Sequence, residues 1–200
     1  MKKIAILASG SGSNFEAIVH AQRRKLFNAR VALLICDKKD ALCLARARRL
    51  KIRSFFMDPG DYPTREAFDA AVKILLKKEK IDLVVLAGYM RILGPRFVRA
   101  FRNKIINIHP ALLPAFRGGR AIKDALAYGV KLTGVTVHFV DEKVDHGPII
   151  LQSAVAIKEG MTLSALTAAV HRLEHELYPK AIKLLAAGKV QIRGRHVQTG

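Results

Sequence analysis

The chain has 200 residues, half of them apolar, with no tryptophan and a formal charge of +19. That length and apolar content allow one domain with a sizeable core, exclude a disordered chain, and leave no apolar run long enough to span a membrane. The charge reads as a solvated basic surface or as a nucleic-acid face. Scattering over Arg23-Arg24-Lys25, Arg46 to Arg53, Lys77-Lys78 and Arg96 to Lys104, with few aromatics interleaved, favours the first.

Strands and helices alternate along the chain. Lys3–Ala8 reads as a buried strand rather than a signal peptide, because its apolar stretch runs at once into a Gly/Ser loop. Asn14–Leu26 follows as a helix, with Ser13 and Glu16 spaced as a capping box. Val31–Cys36 is a second strand, Ala41–Leu50 a basic helix and Arg53–Met57 a short strand. Cys36 and Cys43, the only cysteines, form no CxxC motif and no zinc set, which points to a reduced, cytoplasmic compartment. After a Pro/Gly loop, Thr64 caps a helix to about Lys78. Leu83–Ala87 is uniformly apolar, as in a parallel sheet, and a helix follows Pro95.

The next strand ends in Asn107-Ile108-His109-Pro110, and Pro110 to Gly119 is a loop long enough to act as a mobile flap. A helix covers Ala121–Tyr128. In Leu132–Val140, Thr133, Val135, Val137 and Phe139 alternate onto one face. Ile149–Ile157 is a further strand, Thr162 starts a helix to about Ala187, and a short tail closes the chain. The pattern predicts an α/β fold, a doubly wound and mostly parallel Rossmann-like sheet with an antiparallel C-terminal extension, residues 1–200 forming one domain.

Asn107 and His109 share a strand face by spacing. An amide N–H and an imidazolium are donors for a developing oxyanion, and a carboxylate such as Asp145 would hold the imidazolium. That set suits acyl or formyl transfer without a covalent intermediate. It also reads as a strand end followed by a structural histidine. The first βα turn, Ser9-Gly10-Ser11-Gly12-Ser13-Asn14, lets backbone amides approach an anion at a helix start. Phe15 stands where a dinucleotide fingerprint wants glycine and there is no Walker lysine, so a single phosphate monoester fits better than NAD; a tight turn without ligand is the alternative. His171-Arg172-Leu173-Glu174-His175 matches a zinc-protease pattern, but that motif needs a further acidic ligand and another fold, so no metal is expected. On a helix, His171, Glu174, His175 and Tyr178 share a face that could line a cleft or simply meet solvent.

Six segments taken together, SGSGSN at 9–14, TREAFD at 64–69, VVLAGYMRIL at 84–93, INIHPALLP at 106–114, TGVTVHFVDEKVDHGPII at 133–150 and HRLEHELYP at 171–179, resemble the phosphoribosylglycinamide formyltransferase family in order and spacing. The resemblance implies a formyltransferase-type catalytic domain that transfers the formyl group of 10-formyltetrahydrofolate, as co-substrate, to glycinamide ribonucleotide in purine synthesis. It implies that Asn107, His109 and Asp145 are catalytic, that Gly12, Ser13, Asn14 and His171 hold the phosphate, and that Glu174 binds the ribose hydroxyls. It puts Arg65 near the folate tail, and Met90, Arg91, Ile92 and Leu93 with Asp141, Glu142, Lys143, Val144 and Asp145 around the pterin. Arg117-Gly118-Gly119 departs from that pattern towards methionyl-tRNA formyltransferase, whose extra RNA-binding domain has no room here. Formyltetrahydrofolate deformylase is a second rival, and a basic nucleic-acid binder a third that leaves the Asn/His/Asp set unexplained. No membrane or specific nucleic-acid partner is expected; a homodimer is left open.

Overall fold

The computed structural model describes residues 1–200. Its elements are β1 (Lys2–Ala8), α1 (Ser13–Arg23), β2 (Ala29–Cys36), α2 (Leu42–Arg49), β3 (Ser54–Phe56), α3 (Arg65–Lys78), β4 (Leu83–Leu86), α4 (Pro95–Ala100), β5 (Ile105–His109), α5 (Ala121–Tyr128), β6 (Leu132–Phe139), β7 (Ile149–Ala156), α6 (Leu163–Ala186), β8 (Val190–Arg193) and β9 (His196–Thr199). Seven strands form a mostly parallel sheet in the order β3-β2-β1-β4-β5-β6-β7, and β8 and β9 form a separate antiparallel hairpin. By its internal packing the chain divides into two compact units, Met1–Ile106 and Asn107–Gly200.

In the first unit β1 pairs in parallel with both β2 and β4, and β2 with β3. The central strand is therefore apolar from Ile4 onward, and Ile4 to Ala8 are fully buried. Strand order reverses between β1 and β4, the place where an open α/β sheet leaves a crevice beyond the strand ends. The two loops there are tied together. Ser9 N–H donates to the Gly88 carbonyl at 3.0 Å, and Met90 N–H donates to Ser9 Oγ at 2.9 Å. α3 buries Phe68, Val72 and Leu76, one helical stripe, and Thr64 caps it by accepting from Ala67 N–H at 3.1 Å.

The start of α1 differs from the capping box expected of Ser13 and Glu16. The cap position is Gly12, with no side-chain cap. The Glu16 carboxylate is taken instead by Arg46 and Arg49 of α2. Two cations outbid one backbone N–H for a carboxylate. The helix also stops at Arg23, short of Leu26, where Lys25 turns left-handed at φ 58°.

In the second unit β6 and β7 pair antiparallel, and α6 packs against both. β6 is buried on both faces after its first residue, so the expected one-sided alternation holds for β7 rather than β6. Thr136 explains part of this. Its hydroxyl donates to the Ala111 carbonyl at 2.6 Å and accepts from Leu113 N–H at 3.0 Å, so the 111–113 segment covers that strand. Gln152 Nε2 adds a bond to the Leu113 carbonyl at 3.0 Å. The first half of the expected mobile flap is thus anchored. The expected short tail is the β8–β9 hairpin, and Arg195 in its turn donates to the His146 carbonyl at 2.8 Å.

Candidate active site

Asn107 and His109 are alternate residues of β5 and leave the same face of the strand. His109 is buried, 4 % exposed. Both of its ring nitrogens face acceptors. Nδ1 stands 3.3 Å from Asp145 Oδ2, and Nε2 stands 2.8 Å from the Phe116 carbonyl oxygen. A carbonyl and a carboxylate can only accept, so this arrangement suits a ring protonated on both nitrogens.

Asp145 lies in the turn between β6 and β7 at φ 47°, a conformation that Asp tolerates better than most residues. Gly147 closes the same turn; a Cβ there would collide with the Phe139 carbonyl. Beside the contact to His109, Asp145 Oδ2 accepts the Gly118 N–H at 2.9 Å, and Oδ1 lies 3.5 Å from Asn107 Nδ2. The second half of the flap therefore folds onto the Asn107, His109 and Asp145 cluster through two backbone groups, the Phe116 carbonyl and the Gly118 amide.

His138 is the side chain that sequence reasoning missed. It is buried in β6 with Nδ1 2.8 Å from the Phe139 carbonyl, so Nδ1 is the protonated nitrogen. Burial pushes its pKa below the ordinary histidine value, which leaves the ring neutral and Nε2 an acceptor. Asn107 Nδ2 donates to it at 3.3 Å. One amide hydrogen of Asn107 is thereby fixed, and the other is held only by the long contact to Asp145. A histidine among the threonines and valines of β6, shortly before an acidic loop, was the available signal.

The other expected residues fall into two groups. In the first unit the Gly10–Asn14 turn begins α1, and Gly12 takes φ 72°. A Cβ on Gly12 would stand 2.5 Å from Cys43 Cβ, so this glycine is required by packing as well as by conformation. Arg46 Nε donates to the Ser11 carbonyl at 2.8 Å, which places a cation at this turn that composition alone assigned to the surface. Phe15, at the missing third glycine, is fully buried in the core. Arg65 is exposed at the start of α3. Met90 and Ile92 are exposed apolar side chains, Arg91 lies over the Phe68 ring at 4.8 Å, and Leu93 is buried. The carboxylate of Asp69 in α3 fixes the end of this loop by accepting Gly94 N–H at 2.7 Å.

In the second unit Asp141 accepts Lys143 N–H at 3.0 Å and pairs with His146 at 2.6 Å, which orders the 141–146 turn; Glu142 and Val144 are exposed on it. On α6 Glu174 and Tyr178 are buried while His171 is exposed, so the expected polar row is not uniform.

The family described as formyl transferase matches residues 2–182. The chain belongs to the formyl transferase family. It is 48% identical over 185 residues to phosphoribosylglycinamide formyltransferase of Bacillus subtilis, covering 92% of this chain and 95% of that protein. It is 42% identical over 95% of its length to the trifunctional purine biosynthetic protein adenosine-3 of Gallus gallus, of which it spans 19%. The crystal structure of glycinamide ribonucleotide transformylase 1 from Symbiobacterium toebii superposes with a TM-score of 0.97 at 49% identity, covering all of this chain and 94% of that one. For a formyl transferase the geometry of the second unit has a direct chemical reading. Formyl transfer passes through a tetrahedral oxyanion, and Asn107 and His109 are neutral-amide and imidazole donors on one strand face with a carboxylate behind the imidazole.

Proposed function

We propose that this formyl transferase moves the formyl group of 10-formyltetrahydrofolate to the amine of glycinamide ribonucleotide, giving formylglycinamide ribonucleotide and tetrahydrofolate. The observation that carries the reading is the Asn107–His109–Asp145 set, held within 3.5 Å contacts by buried neighbours. The amine attacks the formyl carbon. The oxygen that becomes anionic takes hydrogen bonds from Asn107 Nδ2 and His109 Nε2, and Asp145 supports the imidazolium through Nδ1. Collapse breaks the bond to the folate nitrogen, which gains the proton lost by the amine, so no proton is consumed overall. For His109 Nε2 to reach the formyl oxygen, the Phe116 carbonyl must give up its bond.

Within this proposal, residues 1–200 act as one catalytic domain. Gly12, Ser13 and Asn14 receive the ribonucleotide phosphate on backbone amides at the start of α1, with His171 assisting and Glu174 binding the ribose. The exposed Met90 and Ile92 face the pterin, to which Arg91 and the Asp141–Asp145 turn also contribute. Buried Leu93 contributes through its backbone, and Arg65 meets the anionic folate tail. A reducing cytoplasm suits the two free cysteines, and no helix is long and apolar enough to cross a membrane.

The test is to mix protein, 10-formyltetrahydrofolate and glycinamide ribonucleotide and to follow tetrahydrofolate release. Release should require the ribonucleotide. Equal release in its absence would make the protein a deformylase, and release that depends on methionyl-tRNA would make it a tRNA formyltransferase.

A further inference from the structure

The catalytic chemistry uses neither cysteine, yet the fold brings the two together. Cys36 is the last residue of β2, Cys43 lies in the first turn of α2, and both are fully buried. Their sulfurs stand 3.3 Å apart, with the Cys43 thiol as donor to Cys36 Sγ. Six residues separate them in sequence, so neither composition nor motif pairs them. A surface turn lies against Cys36. The backbone of Lys38 lies against its sulfur, N at 3.4 Å and O at 3.2 Å, and residues 38–40 of that turn are exposed.

The same pair supports the Gly10–Gly12 turn. Cys43 N–H donates to the Gly10 carbonyl at 3.1 Å, and the Cys43 Cβ and Cα form the wall that excludes any side chain at Gly12. Arg46, one turn further along α2, holds the Ser11 carbonyl. The turn thus rests on the first turns of α2. A disulfide needs the sulfurs about 2.04 Å apart, so closure shortens the sulfur–sulfur distance by roughly 1.3 Å at the residue that walls Gly12.

We propose that Cys36 and Cys43 are a reversible dithiol, oxidised to a disulfide by small peroxides, whose closure displaces the Gly10–Gly12 turn. Its consequence for ribonucleotide binding rests on the reading of that turn as the phosphate loop. The Cys36 thiolate attacks one oxygen of hydrogen peroxide; the O–O bond breaks, hydroxide leaves and a sulfenic acid forms. The Cys43 sulfur then attacks the Cys36 sulfur. The S–S bond forms, the S–O bond breaks, and the departing hydroxide takes the Cys43 proton as water. Two thiols lose two electrons in total, and one peroxide becomes two waters. The chemistry suits the roles. The hydrogen bond from Cys43 pulls the Cys36 thiol down to about 7 against its burial, with the Lys38 amide acting in the same direction, which makes Cys36 the attacking thiolate. The same hydrogen bond and burial push Cys43 upward, which keeps it the protonated partner.

The experiment treats the full chain with hydrogen peroxide, then measures intact mass, titratable thiols after denaturation and amide exchange at residues 10–14, before and after dithiothreitol. The expected result is loss of two hydrogens and of both thiols, faster exchange at residues 10–14, and reversal of all three by the reductant. Ribonucleotide should bind roughly tenfold more weakly to the oxidised form by calorimetry. Cys36→Ser and Cys43→Ser should each abolish the exchange response. Two thiols still titrating after peroxide treatment would overturn the proposal, as would a disulfide that leaves exchange at residues 10–14 unchanged. A disulfide that loosens the turn without weakening ribonucleotide binding would uphold the dithiol and remove the phosphate-loop reading instead.

Discussion

Replacing Asp145 by Asn isolates the charge behind His109. The substitution keeps the shape and an acceptor for the Gly118 amide, and Asn tolerates the left-handed φ of 47° as well as Asp does. What it removes is a negative charge 3.3 Å from Nδ1, in a pair whose side chains are only 5% and 10% exposed. At that distance the attraction of a carboxylate for an imidazolium is bounded near 5 kcal/mol for an effective dielectric of about 20. Only the part that differs between ground state and transition state changes the rate. Loss of an oxyanion donor costs about 100- to 1000-fold, or roughly 3–4 kcal/mol, which fits inside that bound. Stopped-flow measurement of tetrahydrofolate release should therefore show kcat down by about two to three orders of magnitude, with ribonucleotide affinity changed little. An Asp145→Asn enzyme with near-normal kcat, or one whose loss lies wholly in ribonucleotide affinity, would refute the argument.

Gly12→Ala combines an unfavourable φ with a collision against Cys43, and should lower stability by about 2–4 kcal/mol in urea unfolding. Adding Cys43→Gly should recover part of that loss, and an unchanged midpoint in the single variant would contradict the packing. His138 has a depressed pKa when folded, so below the ordinary value of about 6.5 the unfolded chain binds the extra proton and stability falls with pH, by at most about 1.4 kcal/mol per unit. His138→Gln should flatten that slope between pH 7 and 5.5; an identical slope in both proteins would show that His138 does not carry it. Activity should survive chelators, and a metal-to-protein ratio near one with activity lost on chelation would refute this. Binding to short RNA should be weak, independent of sequence and steeply lost with salt, against which a tight complex with one RNA at physiological salt would count.

Much of the fold was legible because its signals are local. Uniformly apolar β4 and the apolar Ile4–Ala8 run of β1 announce a parallel sheet, and Thr64 announces the helix it caps. The capping box failed for the opposite reason. Ser13 and Glu16 have the right spacing, but Arg46 and Arg49 lie 30 and more residues away, and no local rule weighs a distant cation against a nearby amide. The same limit applies to Arg46, which reads as one charge in a basic segment until the fold sets it on the Ser11 carbonyl. The hairpin β8–β9 was lost because its alternation spans only four residues per strand.

The candidate site divides in the same way. Asn107, His109 and Asp145 are visible as side chains of distinctive chemistry. The Phe116 carbonyl and the Gly118 amide are not, because every residue but proline carries both groups and the sequence gives no mark to the ones in use. Yet these two backbone groups occupy the donors and acceptors of His109 and Asp145. In the structure the proton on His109 Nε2 is shared with a neutral carbonyl at 2.8 Å, so the buried donor is satisfied without being committed. A neutral formyl oxygen offers no stronger bond than the Phe116 carbonyl does. An oxyanion does, because hydrogen bonds to charged acceptors are about twice as strong as those between neutral groups. Under the proposed function, the exchange of Phe116 for the reacting oxygen therefore becomes favourable as charge develops. A donor balanced in this way discriminates the transition state from the substrate, and that difference is what accelerates the reaction.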